Sequence, residues 1–280
     1  MLRSLVGSEM CIRDRNKNCR GCAVMNSKAD GQFREIRIDR FDLEGARNWM
    51  AGICGPHRLE TANPERIRFH HSANVLRSRS TTLGIIEYGT DVVVDIQDTE
   101  RFSSYSLSLP LCGEQELSKD GRLLRSDRGQ GVIIAPNESQ VLAISGDCRK
   151  LQVVISRPAM SEALEGLLQR PVLEPLRFEP GMDALHGAAA AWWRMAQHFI
   201  GELAQGNELY EQLAFTREIE SSLIKGLILA QPNNYSSELR AMLGVKLPHY
   251  LVRARQHLHE HALSLIHISE PTRTPEHLVC

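Results

Sequence analysis

The sequence predicts an α+β fold, in which an antiparallel β-barrel or sandwich is followed by a helical segment. Between residues 67 and 156, short apolar or alternating runs are separated by turn-forming residues such as Lys119-Asp120-Gly121. Roughly eight such runs at this spacing are typical of antiparallel β-domains rather than of alternating β-α units. From Arg157 onward, the apolar residues recur at helical spacing instead.

Both ends of the chain read as translated adapter DNA. A single DNA sequence encodes residues 263–273 on one strand and residues 5–14 on the other. It resembles a transposase adapter used to prepare sequencing libraries, and a genuine inverted repeat is the alternative. We therefore expect residues 1–15 and 263–280 to be adapter-derived artefacts that are excluded from fold reasoning.

The remaining residues divide into consecutive parts. Residues 16–40 are predicted to be a polar leader. In the next part, residues 41–156, Asp42 can cap a short helix that Gly55-Pro56 ends, and the β-barrel follows. After it we expect a helical segment at 157–235, with helices at about 158–169, 182–203 and 208–230, then a linker at 236–247 and a basic helix at 248–262.

Composition restricts the possible functions. The net charge of the 280-residue chain is −1, and it stays −1 when both suspect ends are left out. Such a body lacks the basic patch expected of a nucleic-acid-binding protein. No apolar run has the length of a membrane span, so we expect a cytoplasmic protein without a membrane partner. The pair Cys19 and Cys22 has no second ligand pair, which argues against zinc.

The residues do not assemble a recognisable catalytic or metal site. A metal-binding cupin barrel would use two histidines one residue apart, a nearby glutamate and a later histidine. Residues 113–135, where that motif would fall, contain no histidine. His70 and His71 are adjacent, so strand alternation sends them to opposite faces. We predict no catalytic residue, no metal and no cofactor.

Three polar side chains among apolar neighbours are candidate ligand contacts inside the barrel. His71 shares a strand face with Phe69, and Tyr105 alternates with Leu107. Tyr88 ends a predicted strand. Ordinary core packing is the alternative for each, but His71, Tyr88 and Tyr105 are the predicted ligand-binding residues.

An apolar stripe on the predicted helix at 208–230 is a candidate dimer interface. It includes Ile219, Leu223 and Leu227, and it is wider than a small helix pair needs to bury. We therefore predict homodimerisation through these three residues. Packing within one chain is the alternative.

The order of these parts resembles the AraC/XylS family of bacterial transcription regulators. The resemblance rests on LSLPLCGE at 107–114, GVIIAP at 131–136, DCRKLQVVIS at 147–156, the helix pair, and PHYLVRARQHLHEHA at 248–262. It implies a cupin-like barrel that senses a small-molecule effector, a helical pair that dimerises, and a C-terminal domain with two helix-turn-helix units that reads promoter DNA.

The resemblance also implies that the DNA-reading part is missing from this chain. Residues 248–262 look like the first helix of that domain, and adapter sequence replaces what should follow, so no DNA-binding residue can be assigned. We therefore expect the effector-sensing and dimerisation portion of such a regulator. A cupin-type enzyme acting on small molecules, which bound metal would favour, and a stand-alone ligand-binding protein are the alternatives.

Overall fold

The computed structural model describes residues 33–76, 81–206 and 208–244. The adapter-like ends, most of the polar leader and the basic helix at 248–262 lie outside these residues. In the described part, the chain forms two antiparallel sheets and a layer of helices, which confirms the predicted α+β class.

The larger sheet contains seven strands. In spatial order they are β1 (Phe33–Arg40), β3 (Phe69–Leu76), β4 (Thr81–Glu87), β11 (Arg149–Ser156), β6 (Ser104–Cys112), β9 (Gln130–Ile134) and β12 (Gly181–Asp183). The smaller sheet contains five, in the order β2 (Arg58–Glu60), β5 (Val92–Ile96), β10 (Gln140–Ile144), β7 (Gln115–Lys119) and β8 (Arg122–Ser126).

Six α-helices accompany the sheets in the described residues. They are α1 (Leu43–Cys54), α2 (Arg157–Leu168), α3 (Gly187–Ala204), α4 (Glu208–Glu211), α5 (Leu213–Ala230) and α6 (Ser236–Gly244), and a short 3-10 helix spans Pro64–Arg66. As predicted, Asp42 caps α1 by accepting a hydrogen bond from the Gly45 amide, and Gly55 ends it at φ 107°.

The two sheets stack face to face as a jelly-roll-like sandwich. In the described residues, no strand pairing joins one sheet to the other, so the predicted barrel is more accurately two open sheets. Apolar residues of both inner faces form one core, which includes Phe69 and Ile86 from the larger sheet and Leu117 and Leu142 from the smaller. The outer face of the larger sheet packs against the helices.

The larger sheet is therefore buried on both faces, which strand β6 shows most clearly. Tyr105, Leu107 and Leu109 belong to the core beneath the helices, whereas Ser106 and Ser108 face the space between the sheets. Successive side chains of a strand point to opposite faces, so this alternation separates an apolar outer face from a polar inner one.

Several elements differ from the predicted organisation. The predicted polar leader contains strand β1, which pairs with β3 along its whole length. The predicted linker at 236–247 contains helix α6, held by the buried side chain of Leu239 and by an ion pair between Glu238 and Arg170. The helix predicted at 208–230 is divided at Gln212, whose backbone is extended.

Candidate functional site

His71 lies inside the sandwich, as its position in the sequence predicts. It pairs with Ile38 on one side and Ile86 on the other, both core residues of the inner face, and its side chain is fully buried. His70, its neighbour, points outward and contacts Asp39. The indole Nε1 of Trp49, on α1, donates a hydrogen bond to His71 Nδ1 at 3.1 Å.

This contact fixes the protonation state of His71. Because Nδ1 accepts, the ring proton resides on Nε2, which has no hydrogen-bond partner among the described residues. Burial, followed by the charge of His70, lowers the pKa of His71 to about 4. The imidazole is therefore neutral at physiological pH.

Tyr88 lies immediately after β4 and lines the space between the sheets. Its ring packs against Phe69 with 5.2 Å between ring centroids, and its side chain is buried. Burial, followed by the proximity of Cys54, raises the pKa of the phenol, so the hydroxyl stays protonated. The structure thus places both Tyr88 and His71 on the inner side of the sandwich.

Tyr105 does not join them, and its predicted position inside the barrel is corrected. The residue lies on the outer face of β6, where its hydroxyl donates to the Leu176 carbonyl at 2.8 Å. Its ring meets Phe178 edge-on at 5.7 Å. Tyr105 and Leu107 share one face of the strand, as the alternation predicts. That face lies beneath the helices, not toward the smaller sheet.

A small cavity lies between the sheets and forms the candidate site. Its free volume is about 30 Å³, space for one or two water-sized groups. Met50 and Cys54 of α1 form part of its wall. The polar lining comprises His57, Tyr88, Ser106, Ser108, Lys150 and Gln152, and the apolar lining includes Ile86, Val94, Ile96, Phe102, Ile134, Leu142 and Ile144.

Lys150 is the charged side chain of this cavity, and it is 3% exposed. Its Nζ donates to Gln115 Oε1 at 2.8 Å. Gln115 is itself held by Ser126, whose hydroxyl accepts from Nε2 at 3.0 Å. Burial lowers the pKa of Lys150 to about 8, and nearby Cys148 and Cys54 partly offset that effect.

Gln152 stands two residues further along β11, on the same face as Lys150. Its Nε2 donates to Ser106 Oγ at 3.2 Å, whereas its Oε1 is buried without a hydrogen-bond partner among the described residues. Ser106, Gln152 and Lys150 thus give two adjacent strands of the larger sheet a polar inner face. An unpartnered acceptor in such a place can bind a ligand that donates a hydrogen bond.

Sequence reasoning missed Lys150, Gln152, Ser106 and Ser108 because each alternates with apolar residues. In an antiparallel strand this pattern normally marks a solvent-exposed face. The missing information was that helices cover the apolar face. The only hint in the sequence was the run of uncharged serines in β6, where an exposed strand would more often carry charged residues.

The predicted dimer stripe lies inside the chain, which corrects its assignment to an exposed interface. Ile219 is 5% exposed, and Leu223 and Leu227 are fully buried. The three belong to the core between the helices and the larger sheet. Trp192 of α3 also donates to the Leu223 carbonyl at 2.8 Å, so the alternative of intramolecular packing describes all three residues.

Other features of the described residues bear on partners. No three His, Cys, Asp or Glu side chains there come together in a way that could hold a metal ion. The cysteines Cys54, Cys112 and Cys148 are free thiols. Within the same residues, no helix combines the length and apolarity needed to cross a membrane.

Comparison with known proteins identifies one matching family. A sequence model of the AraC-binding-like domain matches residues 46–229. No curated protein matches the chain. The solved structure of the AraC-like transcriptional activator CuxR is 11% identical, with 82% of this chain and 79% of that chain covered and a TM-score of 0.48.

Two further solved structures match a smaller share of the chain. KdgF from Halomonas sp. is 13% identical, with 36% of this chain and 89% of that chain covered and a TM-score of 0.26. The EutQ protein of Clostridium difficile is 17% identical, with 39% of this chain and 68% of that chain covered and a TM-score of 0.24.

Proposed function

The chain belongs to the AraC-binding-like domain family, and we propose that it senses a small-molecule effector for a transcription regulator of the AraC/XylS type. The observation that carries the proposal is the small cavity between the two sheets, whose wall includes the buried polar side chains of Lys150 and Gln152. A sandwich stabilised by packing alone would fill this space with apolar side chains, because buried polar groups cost free energy unless they are paired. Binding a ligand supplies the missing partners.

Strand β11 contacts both the cavity and the core beneath the helices. Lys150 and Gln152 face the cavity, whereas Leu151 and Val153 on the same strand pack in the core beneath the helices. A ligand that shifts β11 would therefore change the packing of α2, α3 and α5. We propose that effector binding is transmitted through this sheet.

The remaining parts of the proposal concern partners and location. The domain acts as a cytoplasmic homodimer, without catalytic activity of its own, and promoter DNA is the partner of the regulator to which it belongs. Because Leu223 and Leu227 are buried, the dimer interface lies on another surface. Sedimentation equilibrium over a hundredfold concentration range tests this part, and a monomer throughout would remove dimerisation from the proposal.

A ligand screen with a blocked cavity tests the proposed sensing function. Ser106→Leu fills the cavity, whereas Ser118→Leu makes the same change on β7 at a position that does not line it. Small metabolites are screened for a rise in Tm of the wild type. We expect at least one compound to stabilise the wild type and Ser118→Leu but not Ser106→Leu. Equal responses from all three proteins would place binding outside the cavity.

A further inference from the structure

Lys150 distinguishes this cavity, because it is a buried cation with no anionic side chain paired to it among the described residues. Lys150 Nζ has one hydrogen bond among the described residues, to the neutral amide oxygen of Gln115. No carboxylate of the described part forms an ion pair with it, although Lys119, on β7, is paired with Glu138 at 2.6 Å. An ammonium group offers three donors, so Lys150 retains capacity for a further acceptor.

A buried ammonium group is costly unless an anion compensates it. Gln115 supplies a dipole but no charge, and its amide is committed to Ser108 and Ser126 as well. The network is thus built to hold Lys150 in place without neutralising it. A negatively charged ligand would compensate the charge of the Lys150 ammonium group.

The second unpartnered group in the cavity requires a donor rather than an acceptor. Gln152 Oε1 is buried without a partner, and Gln152 lies on the same face of β11 as Lys150. Residues two apart on a strand are separated by roughly 7 Å between Cα atoms, so one small molecule can contact both side chains. A hydroxyl group on the ligand would donate to this oxygen.

Cavity size restricts the ligand further. The free volume of about 30 Å³ limits the ligand to a small molecule whose binding moves the lining side chains apart, and the apolar wall contributed by Ile86, Val94 and Leu142 disfavours a highly hydrated phosphate. We propose that the cavity binds a compact hydroxycarboxylate, whose carboxylate pairs with Lys150 and whose hydroxyl donates to Gln152. This inference rests on the proposed sensing function and names its ligand class.

Three two-carbon probes separate the two contacts. Glycolate carries both groups, acetate lacks the hydroxyl, and glycolamide replaces the carboxylate by a neutral amide of similar shape. Their affinities are measured by isothermal titration calorimetry at pH 7 and constant ionic strength. We expect glycolate to bind more tightly than acetate, and glycolamide to bind at least tenfold more weakly than glycolate, because a charged hydrogen bond is lost.

Variants of the cavity assign each contact to its residue. Lys150→Met should weaken glycolate binding at least tenfold, whereas Lys225→Met, which removes an exposed lysine of α5, should leave it unchanged. Gln152→Met should make glycolate and acetate bind equally. Gln115→Glu places a carboxylate beside Lys150 Nζ without removing the lysine, and it should abolish binding of both anions.

The inference would be overturned if glycolate and glycolamide bound equally, or if Lys150→Met retained wild-type affinity. Absence of glycolate and acetate binding at 50 mM would also overturn it. Circular dichroism confirms that each variant is folded, and Gln115→Glu covers the case in which Lys150→Met fails to fold. If another compound binds and Ser106→Leu blocks it while Lys150→Met does not, the sensing function stands and the assigned ligand class is wrong.

Discussion

At the scale of single residues, the buried ammonium group of Lys150 lowers the free energy of unfolding of the ligand-free protein. Its pKa falls from 10.5 to about 8, so the folded state holds this proton less tightly than the unfolded state. The cost is present in full below pH 8 and is relieved as the pH rises toward 10.5. At neutral pH the ammonium therefore destabilises the ligand-free protein.

We predict that Lys150→Met stabilises the ligand-free protein at pH 7 by about 1 to 3 kcal/mol. Methionine has a similar length and needs no partner, and Gln115 Oε1 still accepts a hydrogen bond from Ser108. Urea unfolding at equilibrium measures the change, with Lys225→Met as the exposed control. A loss of stability in Lys150→Met would show that the ammonium is compensated in the ligand-free state.

His71 makes stability depend on pH in the acidic range. Its pKa is about 4 when folded and 6.5 in an unfolded reference, so the unfolded state gains a proton first as the pH falls. The contribution of the neutral imidazole is fully present above pH 6.5 and is lost as the pH falls toward about 4.

Replacing His71 by glutamine tests this pH dependence. The Gln oxygen can still accept from the Trp49 indole but does not titrate. Between pH 7.5 and 4.5, the wild type should lose about 2 to 3 kcal/mol more unfolding free energy than His71→Gln. Urea titrations at each pH provide the values, and parallel pH profiles for the two proteins would contradict the prediction.

The side of a strand on which a residue lies was predictable where the residue's own pattern decided it, although His71 does not line the cavity itself. Alternation placed His71 inside and His70 outside, as observed. Tyr105 was misplaced because alternation identifies two faces of a strand but not which face lies toward the second sheet. Lys150 could not be recognised for a related reason, since its burial depends on α1 and the smaller sheet.

At the scale of elements, α5 is a core helix of this chain. Leu223 is fully buried between the larger sheet and α3, whereas Lys225, half a turn away, is exposed. We expect Leu223→Glu to cost more than about 4 kcal/mol, because it buries an unpaired carboxylate, and to unfold the protein. Lys225→Glu on the exposed side of the same helix should change stability by less than about 0.5 kcal/mol.

Circular dichroism melts and size-exclusion chromatography distinguish this outcome from simple dissociation. If Leu223→Glu gave a folded monomer of wild-type stability, the stripe would after all lie on an interface between subunits.

Helices, strands and turns were predictable from the sequence where capping or turn-forming residues mark their ends. Asp42 and Gly55 bound α1 as their capping chemistry requires, and Asp120-Gly121 forms the predicted turn, with φ of 50° and 72°, between β7 and β8. Strand β1 was hidden because Ile36 and Ile38 alternate with charged residues at a sheet edge. Helix α6 was hidden because tertiary contacts with Arg170 hold it, not its own periodicity.

At the scale of the whole molecule, the helices and the sandwich form one structural unit. Leu107 and Val153 of the larger sheet belong to the same core as Trp192 and Trp193 of α3. Removing the helices would expose an entire apolar sheet face, which is typical of aggregating proteins. The sandwich and the helical layer should therefore unfold together.

We predict that a chain comprising residues 33–156 is insoluble or binds a hydrophobic dye strongly, whereas residues 33–244 form a folded protein. In the longer chain, urea transitions followed by tryptophan fluorescence and by far-ultraviolet circular dichroism should coincide. A soluble 33–156 fragment with its own cooperative transition would show that the sandwich folds independently of the helices.

The two-sided burial of β6 and β11 has a consequence for engineering. Inner positions such as Ser106, Ser108 and Gln152 can be randomised without altering the outer leucines and valines on which the helices rest. Under the proposed transmission through the larger sheet, changes in ligand preference can be selected independently of changes in signal output. The same strands offer biosensor design two separate sets of positions, one that determines which molecule is detected and another that determines how strongly detection is reported.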